Sequence, residues 1–228
     1  EMKAIILAGG FGTRLRPHTL FIPKSMLPLG DKPVIEHIIE WLKSQGITEI
    51  IISVGYLRKI IENYFHDGRD FNVNISYVRT NNPMGTAGQL KVSEKFIDDT
   101  FLCIYGDMIP KFDLKDSIRL HKSNKATVTM TLIQYKTTMK YGFIETNKQN
   151  KIVSWNEKPE YGGKINLGCY IMEPKFFKYI PRNKICEMDE AFMNAVNARE
   201  SIYGISVKGN FLDIGDKESY STAYSKYI

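Results

Sequence analysis

The opening of the chain does most to restrict its fold. Met2 to Leu7 is an apolar run that reads as a buried first strand, and it leads straight into Ala8-Gly9-Gly10-Phe11-Gly12-Thr13-Arg14. Glycines in that position lie where an α/β sheet opens its binding crevice, at the carboxyl end of a strand. Gly9, Gly10 and Gly12 let the backbone turn tightly and present N–H groups to an anion, and Arg14, Arg16 and Lys24 add positive charge within the same stretch. Three glycines alone fit an ordinary strand-to-helix turn. The cations tip the reading toward a polyphosphate site. The Gly-Lys-Ser/Thr of a P-loop is absent, and neither the third glycine of a Gly-x-Gly-x-x-Gly run nor a ribose-binding acid after the second strand is there to complete a dinucleotide fingerprint.

The rest of the chain repeats the alternation. Pro33 opens a helix whose stripe is Val34, Ile35, Ile38, Ile39 and Leu42, ending at Gly46. Glu49 to Val54 is a second strand, and Leu57, Ile60, Ile61, Tyr64 and Phe65 give the next helix its buried face. Strand follows helix again at Asn74 to Thr80 and at Phe101 to Tyr105, so the spacing predicts an α/β domain with a mostly parallel sheet. Small residues at Gly85, Thr86, Ala87 and Gly88 would let a flat ring approach the backbone, and Asp107 places a carboxylate at a strand's carboxyl end. Asp113 is placed to cap a further helix, and Ala126 to Tyr135 is long and β-branched enough for a central strand. After Lys140 shorter strands and turns predict a β-rich annex, drawn from about residue 140 to 205. The nucleotide-binding half runs from about 1 to 135, and a closing strand and helix occupy 206–228 of one domain.

Size and composition narrow the partners. A chain of 228 residues, 43% of them hydrophobic, is large enough to bury a substantial core as one domain. Its formal charge of +6 is spread among acids without a lysine-arginine block, which favours a phosphorylated small molecule over nucleic acid. Cys103, Cys169 and Cys186 are odd in number and have no zinc spacing, so they read as reduced core thiols of a cytoplasmic protein. No apolar run approaches the roughly 20 residues of a membrane span, and no signal-peptide pattern is present. Glu1 ahead of Met2 reads as an added residue. The acids Glu187, Asp189 and Glu190 read as a solvated helix start, and the four histidines have no ligand spacing.

Gly9 to Leu15 with Pro23-Lys24, then Gly85-Thr86-Ala87-Gly88, Gly106-Asp107, Tyr141-Gly142, Glu157-Lys158-Pro159, Asn166-Leu167-Gly168-Cys169-Tyr170 and Asp213-Ile214-Gly215, follow one another almost from end to end. In that order they resemble the sugar-1-phosphate nucleotidylyltransferases, the nucleotide-sugar pyrophosphorylases. The resemblance implies their Rossmann-like three-layer α/β/α fold, with a mostly parallel mixed sheet and a small β-rich sugar-binding annex. It also implies their substrates, a nucleoside triphosphate and a sugar 1-phosphate, and their Mg²⁺-dependent displacement of pyrophosphate, with no role for nucleic acid or membrane. Members often form dimers or tetramers, which leaves homo-oligomerisation open.

By the same resemblance, Leu7, Ala8, Gly9, Gly10, Gly12, Thr13, Gly85, Thr86, Ala87 and Gly88 bind the nucleotide together with Arg14, Lys24 and Asp107. Arg14, Lys24, Asp107 and Asp213 form the catalytic set, with Asp107 and Asp213 holding the metal. Gly142, Glu157, Lys158, Asn166 and Tyr170 take the sugar phosphate. Gly88 stands where uridylyl and thymidylyl members often carry a polar reader, and with Asn166-x-Gly168-x-Tyr170 this favours GTP and the short mannose-1-phosphate guanylyltransferases. The chain ends soon after Asp213, so the left-handed β-helix of longer members is expected to be missing. Uridylyl, thymidylyl and cytidylyl transfer to glucose, amino-sugar or phosphocholine substrates are the alternatives, as is a regulatory relative without turnover. A glycosyltransferase is disfavoured because Gly106-Asp107-Met108-Ile109 lacks an Asp-x-Asp motif.

Overall fold

A computed structural model describes residues 2–227. Glu1, read as an added residue, and Ile228, the end of the expected closing helix, lie outside the described residues. Strand β1 (Lys3–Ala8) is flanked by parallel β4 (Glu49–Val54) and β6 (Phe101–Tyr105), with Ile5 facing Ile51 on one side and Cys103 on the other. Between β1 and β4 lie the two-residue ladder of β2 (Pro28–Leu29) and β3 (Lys32–Pro33), and helix α1 (Val34–Ser44). Helix α2 (Arg58–Phe65) then leads to β5 (Asn74–Arg79), which extends the parallel set. Helix α3 (Gly85–Lys91) precedes β6. After β6 come β7 (Met108–Phe112), α4 (Lys115–Ser123) and the long β8 (Val128–Thr138).

The hairpin of β9 (Phe143–Thr146) and β10 (Ile152–Asn156) follows, and then β11 (Glu160–Met172), α5 (Met188–Asn197), β12 (Ile202–Ser206), β13 (Gly209–Asp213) and α6 (Lys217–Tyr224). The main sheet has seven strands in the order β12-β8-β11-β6-β1-β4-β5. Only β11 runs against its neighbours, antiparallel to both β6 and β8. The fold is therefore the expected mostly parallel mixed sheet between two helical layers.

Side-chain alternation along β1 divides the core in two. Ile6 joins Ile35, Ile38, Leu42, Ile61 and Phe65 of α1 and α2 on one face. Ile5 and Leu7 join Ala87, Leu90, Met188 and Phe192 of α3 and α5 on the other. Each isoleucine or leucine so buried contributes about 1.5–3 kcal/mol. Helix α1 ends as its sequence predicts: Gly46 has φ +78°, and the N–H groups of Gly46 and Ile47 return to the carbonyls of Lys43 and Leu42. The face expected of α2 is narrower, because Ile61 and Phe65 are buried while Tyr64 is 43% exposed.

Two features differ from the sequence reading. The annex does not extend from 140 to 205, because the inner half of β11 and all of β12 belong to the main sheet. What projects is the β9–β10 hairpin and a ribbon in which Glu160 to Asn166 pairs with Leu132 to Thr138. Beyond its half-buried root at Leu132, Ile133 and Ile165 the ribbon is exposed on both faces, so it has no apolar alternation by which a sequence pattern could identify it. Strand β7 was also unanticipated. It carries Pro110 and pairs only with β13, outside the main sheet, which is where a proline-bearing strand is tolerated.

Candidate active site

The loop after β1 curls into a short 3₁₀ turn, Thr13–Leu15, led by Gly12 at φ +62°. Its carbonyl accepts from Leu15 N at 2.9 Å and from Thr19 Oγ1 at 2.7 Å. A Cβ on Gly12 would lie 2.9 Å from Thr19 Cγ2 and 3.1 Å from Lys24 Cβ, so only glycine lets the loop close this tightly. Gly10 has open space beside it. Gly9, by contrast, gives its N–H to Gln89 Oε1 at 2.9 Å, so that amide is held by the protein.

These residues line a crevice of about 430 Å³, within the size range of small-molecule sites. Leu7, Ala8, Gly9, Gly10, Gly12, Thr13, Arg14, Lys24, Gly85, Thr86 and Asp107 all border it. The structure thus gathers residues from three separate loops at the carboxyl ends of parallel strands.

Ala87 and Gly88 do not border the crevice. Both are buried, and their N–H groups donate to the carbonyl of Cys186 at 3.0 and 3.1 Å. A Cβ on Gly88 would come within 2.8 Å of Met84 Cβ. Close packing against Met84 therefore accounts for this glycine, and its bareness is no sign of a purine. Sequence reasoning missed Gln89, Tyr105 and Glu187, all of which line the crevice. The nearby motifs gave no reason to choose them, because their roles depend on contacts between distant segments.

Asp107 follows Gly106 at the end of β6, and Lys24 Nζ donates to its Oδ2. Asp213 ends β13, opposite Met108 of β7, and Ile214 N donates to the carbonyl of Asp107 at 3.1 Å. The β7–β13 ladder thereby places the two acids side by side. Desolvation pushes the Asp213 carboxyl up from the ordinary range; a bond from Gly215 N at 2.8 Å opposes this, and the charge of Asp107 adds to it. Two neighbouring carboxylates, one of them destabilised as an anion, form a donor set that favours a hard divalent cation. Among the described residues no group of three or more His, Cys, Asp or Glu could hold a metal by itself, so substrate oxygens and water would complete any coordination shell.

The residues assigned to the sugar phosphate lie apart. None of Gly142, Glu157, Lys158, Asn166 and Tyr170 borders this crevice. Gly142 and Glu157 are adjacent, since a Cβ on Gly142 would touch Glu157 Oε2 at 2.6 Å, and that oxygen accepts from Trp155 Nε1 at 3.0 Å. Lys158 is exposed and has φ +44°.

Tyr170 is not a contact residue in this structure. It is 0% exposed, and its phenol is pushed far up, chiefly by burial. Its hydroxyl accepts from Asn166 Nδ2 at 2.6 Å and donates to the Tyr105 hydroxyl at 3.2 Å. The apolar neighbours of Tyr170 in β11, rather than its polar tip, decide where it goes, so it joins Asn166 to the crevice wall from behind. Asn166 Oδ1 takes Gly168 N at 2.8 Å, which fixes the turn in which Gly168 has φ +68°.

A family model described as nucleotidyl transferase matches residues 3–228. The chain belongs to that family. It is 34% identical to a UTP–glucose-1-phosphate uridylyltransferase of Synechocystis over 96% of its length. It is 35% identical to a mannose-1-phosphate guanyltransferase of Yarrowia lipolytica over its whole length. The chain spans only 61% and 64% of the lengths of these two relatives. In three dimensions it is similar to HddC from Yersinia pseudotuberculosis in complex with GMP-PN, with a TM-score of 0.77, 27% identity and complete coverage of both chains. The three cysteines of the chain are free and buried, as expected of core thiols. No helix among the described residues is long and apolar enough to cross a membrane.

Proposed function

We propose that this chain transfers a nucleotidyl group from a nucleoside triphosphate to a sugar 1-phosphate, releasing pyrophosphate. The observation that carries this reading is the meeting of Arg14, Lys24 and the glycine loop with Asp107 in one crevice, with Asp213 beside Asp107 on the adjoining ladder. Family membership and the substrates named for the two relatives support it.

The reaction is an in-line displacement at the α-phosphorus. A phosphate oxygen of the sugar 1-phosphate attacks, its bond to phosphorus forms, and the bond to the bridging oxygen of the departing pyrophosphate breaks. Arg14 and the loop bind the β- and γ-phosphates, where negative charge accumulates on the leaving group. Lys24 moves from Asp107 to the phosphate oxygens and reduces the repulsion between two anions. Asp107 and Asp213 would hold Mg²⁺, which when bound supplies charge neutralisation at the triphosphate. Lys158 orients the attacking phosphate, and Glu157 and Asn166 bond the sugar hydroxyls, once the hairpin region meets the second substrate.

GTP with mannose 1-phosphate, or a related sugar phosphate, is the favoured pair. The guanyltransferase relative and the structural neighbour complexed with GMP-PN support that choice. UTP with glucose 1-phosphate is the second reading, on the strength of the uridylyltransferase relative. Pyrophosphate release from each of four nucleoside triphosphates, paired in turn with mannose, glucose and amino-sugar 1-phosphates in the presence of Mg²⁺, tests both. Turnover fastest with GTP and mannose 1-phosphate is expected, and faster turnover with UTP and glucose 1-phosphate replaces the first reading by the second.

A further inference from the structure

Glu187 is the N-cap residue of α5, but its side chain makes no capping bond to that helix. Its Oε2 accepts two bonds from Thr86, from the backbone N at 3.0 Å and from Oγ1 at 2.9 Å, across 101 residues of chain. Thr86 Oγ1 in turn accepts from Met188 N at 2.8 Å. Cys186 adds its N–H to the carbonyl of Met84 at 2.9 Å and its own carbonyl to Ala87 and Gly88. Gly85 closes the clasp at φ +71°, where a Cβ would lie 2.4 Å from the Cys186 oxygen. Asp189 and Glu190 form the exposed helix start expected of them, whereas Glu187 belongs to a clasp that fixes one wall of the crevice.

The clasp occupies only one oxygen of the carboxylate. Oε1 of Glu187 makes no hydrogen bond among the described residues, and Glu187 lines the crevice with Gly85 and Thr86. Unlike Asp107, which pairs with Lys24, Glu187 has no cation paired with it among the described residues, and an unpaired carboxylate repels phosphate, so this wall suits an uncharged part of the nucleotide. A free carboxylate oxygen is an acceptor only, so among the neutral groups of a nucleotide it pairs with a donor: a ribose hydroxyl, a ring N–H or an exocyclic amino group. Guanine, adenine and cytosine carry exocyclic amino groups; uracil and thymine do not.

We propose that Glu187 is a specificity-determining residue that holds the crevice wall through Thr86 and uses its other oxygen to select a base bearing an amino group. The proposal rests on the nucleotide reading of the crevice and goes beyond it by favouring GTP over UTP on the grounds of a named side chain.

Titration of the full chain with GTP, ATP, CTP, UTP and dTTP tests it, with wild type, E187Q and E187A compared. The amide oxygen of glutamine accepts both Thr86 bonds, so E187Q keeps the clasp and replaces only the free acceptor by a donor. Wild type is expected to bind an amino-bearing triphosphate at least tenfold more tightly than UTP or dTTP. E187Q should lose most of that preference while keeping its thermal midpoint and its affinity for free pyrophosphate. Preference of the wild type for UTP or dTTP overturns the proposal. So does an unchanged ranking in E187Q, including a uniform weakening of all five ligands. Should E187A fail to fold, E187Q still decides. If the wild type binds triphosphates but releases no pyrophosphate with any sugar phosphate, the transfer reading fails while the titrations still judge Glu187. Absence of triphosphate binding overturns both.

Discussion

Lys24 and Asp107, separated by 83 residues, are joined by an ion pair at the floor of the crevice. The lysine side chain is 15% exposed and the aspartate 28%, so both are partly shielded from water without being sealed from it. Such a pair holds a cation ready beside the glycine loop without the full cost of an unpaired buried charge. A triphosphate offers the ammonium a better partner. Lys24→Ala should therefore lower kcat by about 10²–10³-fold, on the scale of losing one preorganised donor. The protein should remain folded, because the pair is still open to water, which screens the Asp107 charge left behind. Steady-state rates together with a melting curve check both halves of this expectation.

Asp213 predicts a divergence between activity and stability. Its carboxylate is crowded by Asp107 and disfavoured by desolvation, yet it is exposed enough for water to screen much of that cost. Asp213→Asn keeps an acceptor for Gly215 N and removes the charge. Turnover should be lost, while in metal-free buffer the thermal midpoint should rise by about 1–2 °C, equivalent to roughly 0.5 kcal/mol for a chain of this size. A lower midpoint would show that the acid is not strained by its surroundings.

Tyr170→Phe distinguishes a residue that supports the wall from one that touches sugar. The change removes the hydroxyl shared by Asn166 and Tyr105 and leaves their polar groups without it. A loss of about 1–3 kcal/mol is expected. Because Tyr105 lines the crevice proposed to take the triphosphate, the KM for triphosphate should rise along with that for sugar phosphate. An effect confined to the sugar phosphate, with no loss of stability, would restore Tyr170 to the sugar site.

These contrasts show what the sequence could and could not convey. Lys3 to Ala8, Glu49 to Val54 and Phe101 to Tyr105 were legible as strands because burial on both sides leaves an unbroken apolar run. The loop residues Gly10, Gly12, Arg14 and Lys24 were legible because a turn that gathers cations is a local pattern. Glu187 was not, since its partner Thr86 is 101 residues away and nothing near it in sequence indicates the clasp. Tyr170, given to the sugar phosphate by resemblance, is buried in the strand between β6 and β8, and no local pattern distinguished it from a residue that lines a pocket. Gly88 shows that a missing side chain can reflect packing rather than recognition.

Away from the crevice, Glu200 predicts an acid-sensitive element. Its carboxylate accepts from Thr127 Oγ1 at 2.5 Å and from the Tyr179 hydroxyl, and it pairs with Lys175 and Lys178, each at 2.9 Å. Hydrogen bonds from Thr127 and Tyr179, then from the two lysines, hold its carboxyl far below the ordinary range. A carboxyl depressed in the fold binds a proton more readily when the chain is unfolded, so its stabilisation is complete above the unfolded value, near 4.5, and is lost as pH falls toward the folded value. Glu200→Gln should lower the thermal midpoint at pH 7 by several degrees, corresponding to about 1–3 kcal/mol for lost charge-assisted bonds. The gap between wild type and variant should narrow steadily as pH falls below about 4.5. Melting curves across that range decide the point; a gap that persists undiminished in acid would mean that packing, and not the carboxylate charge, is what Glu200 contributes.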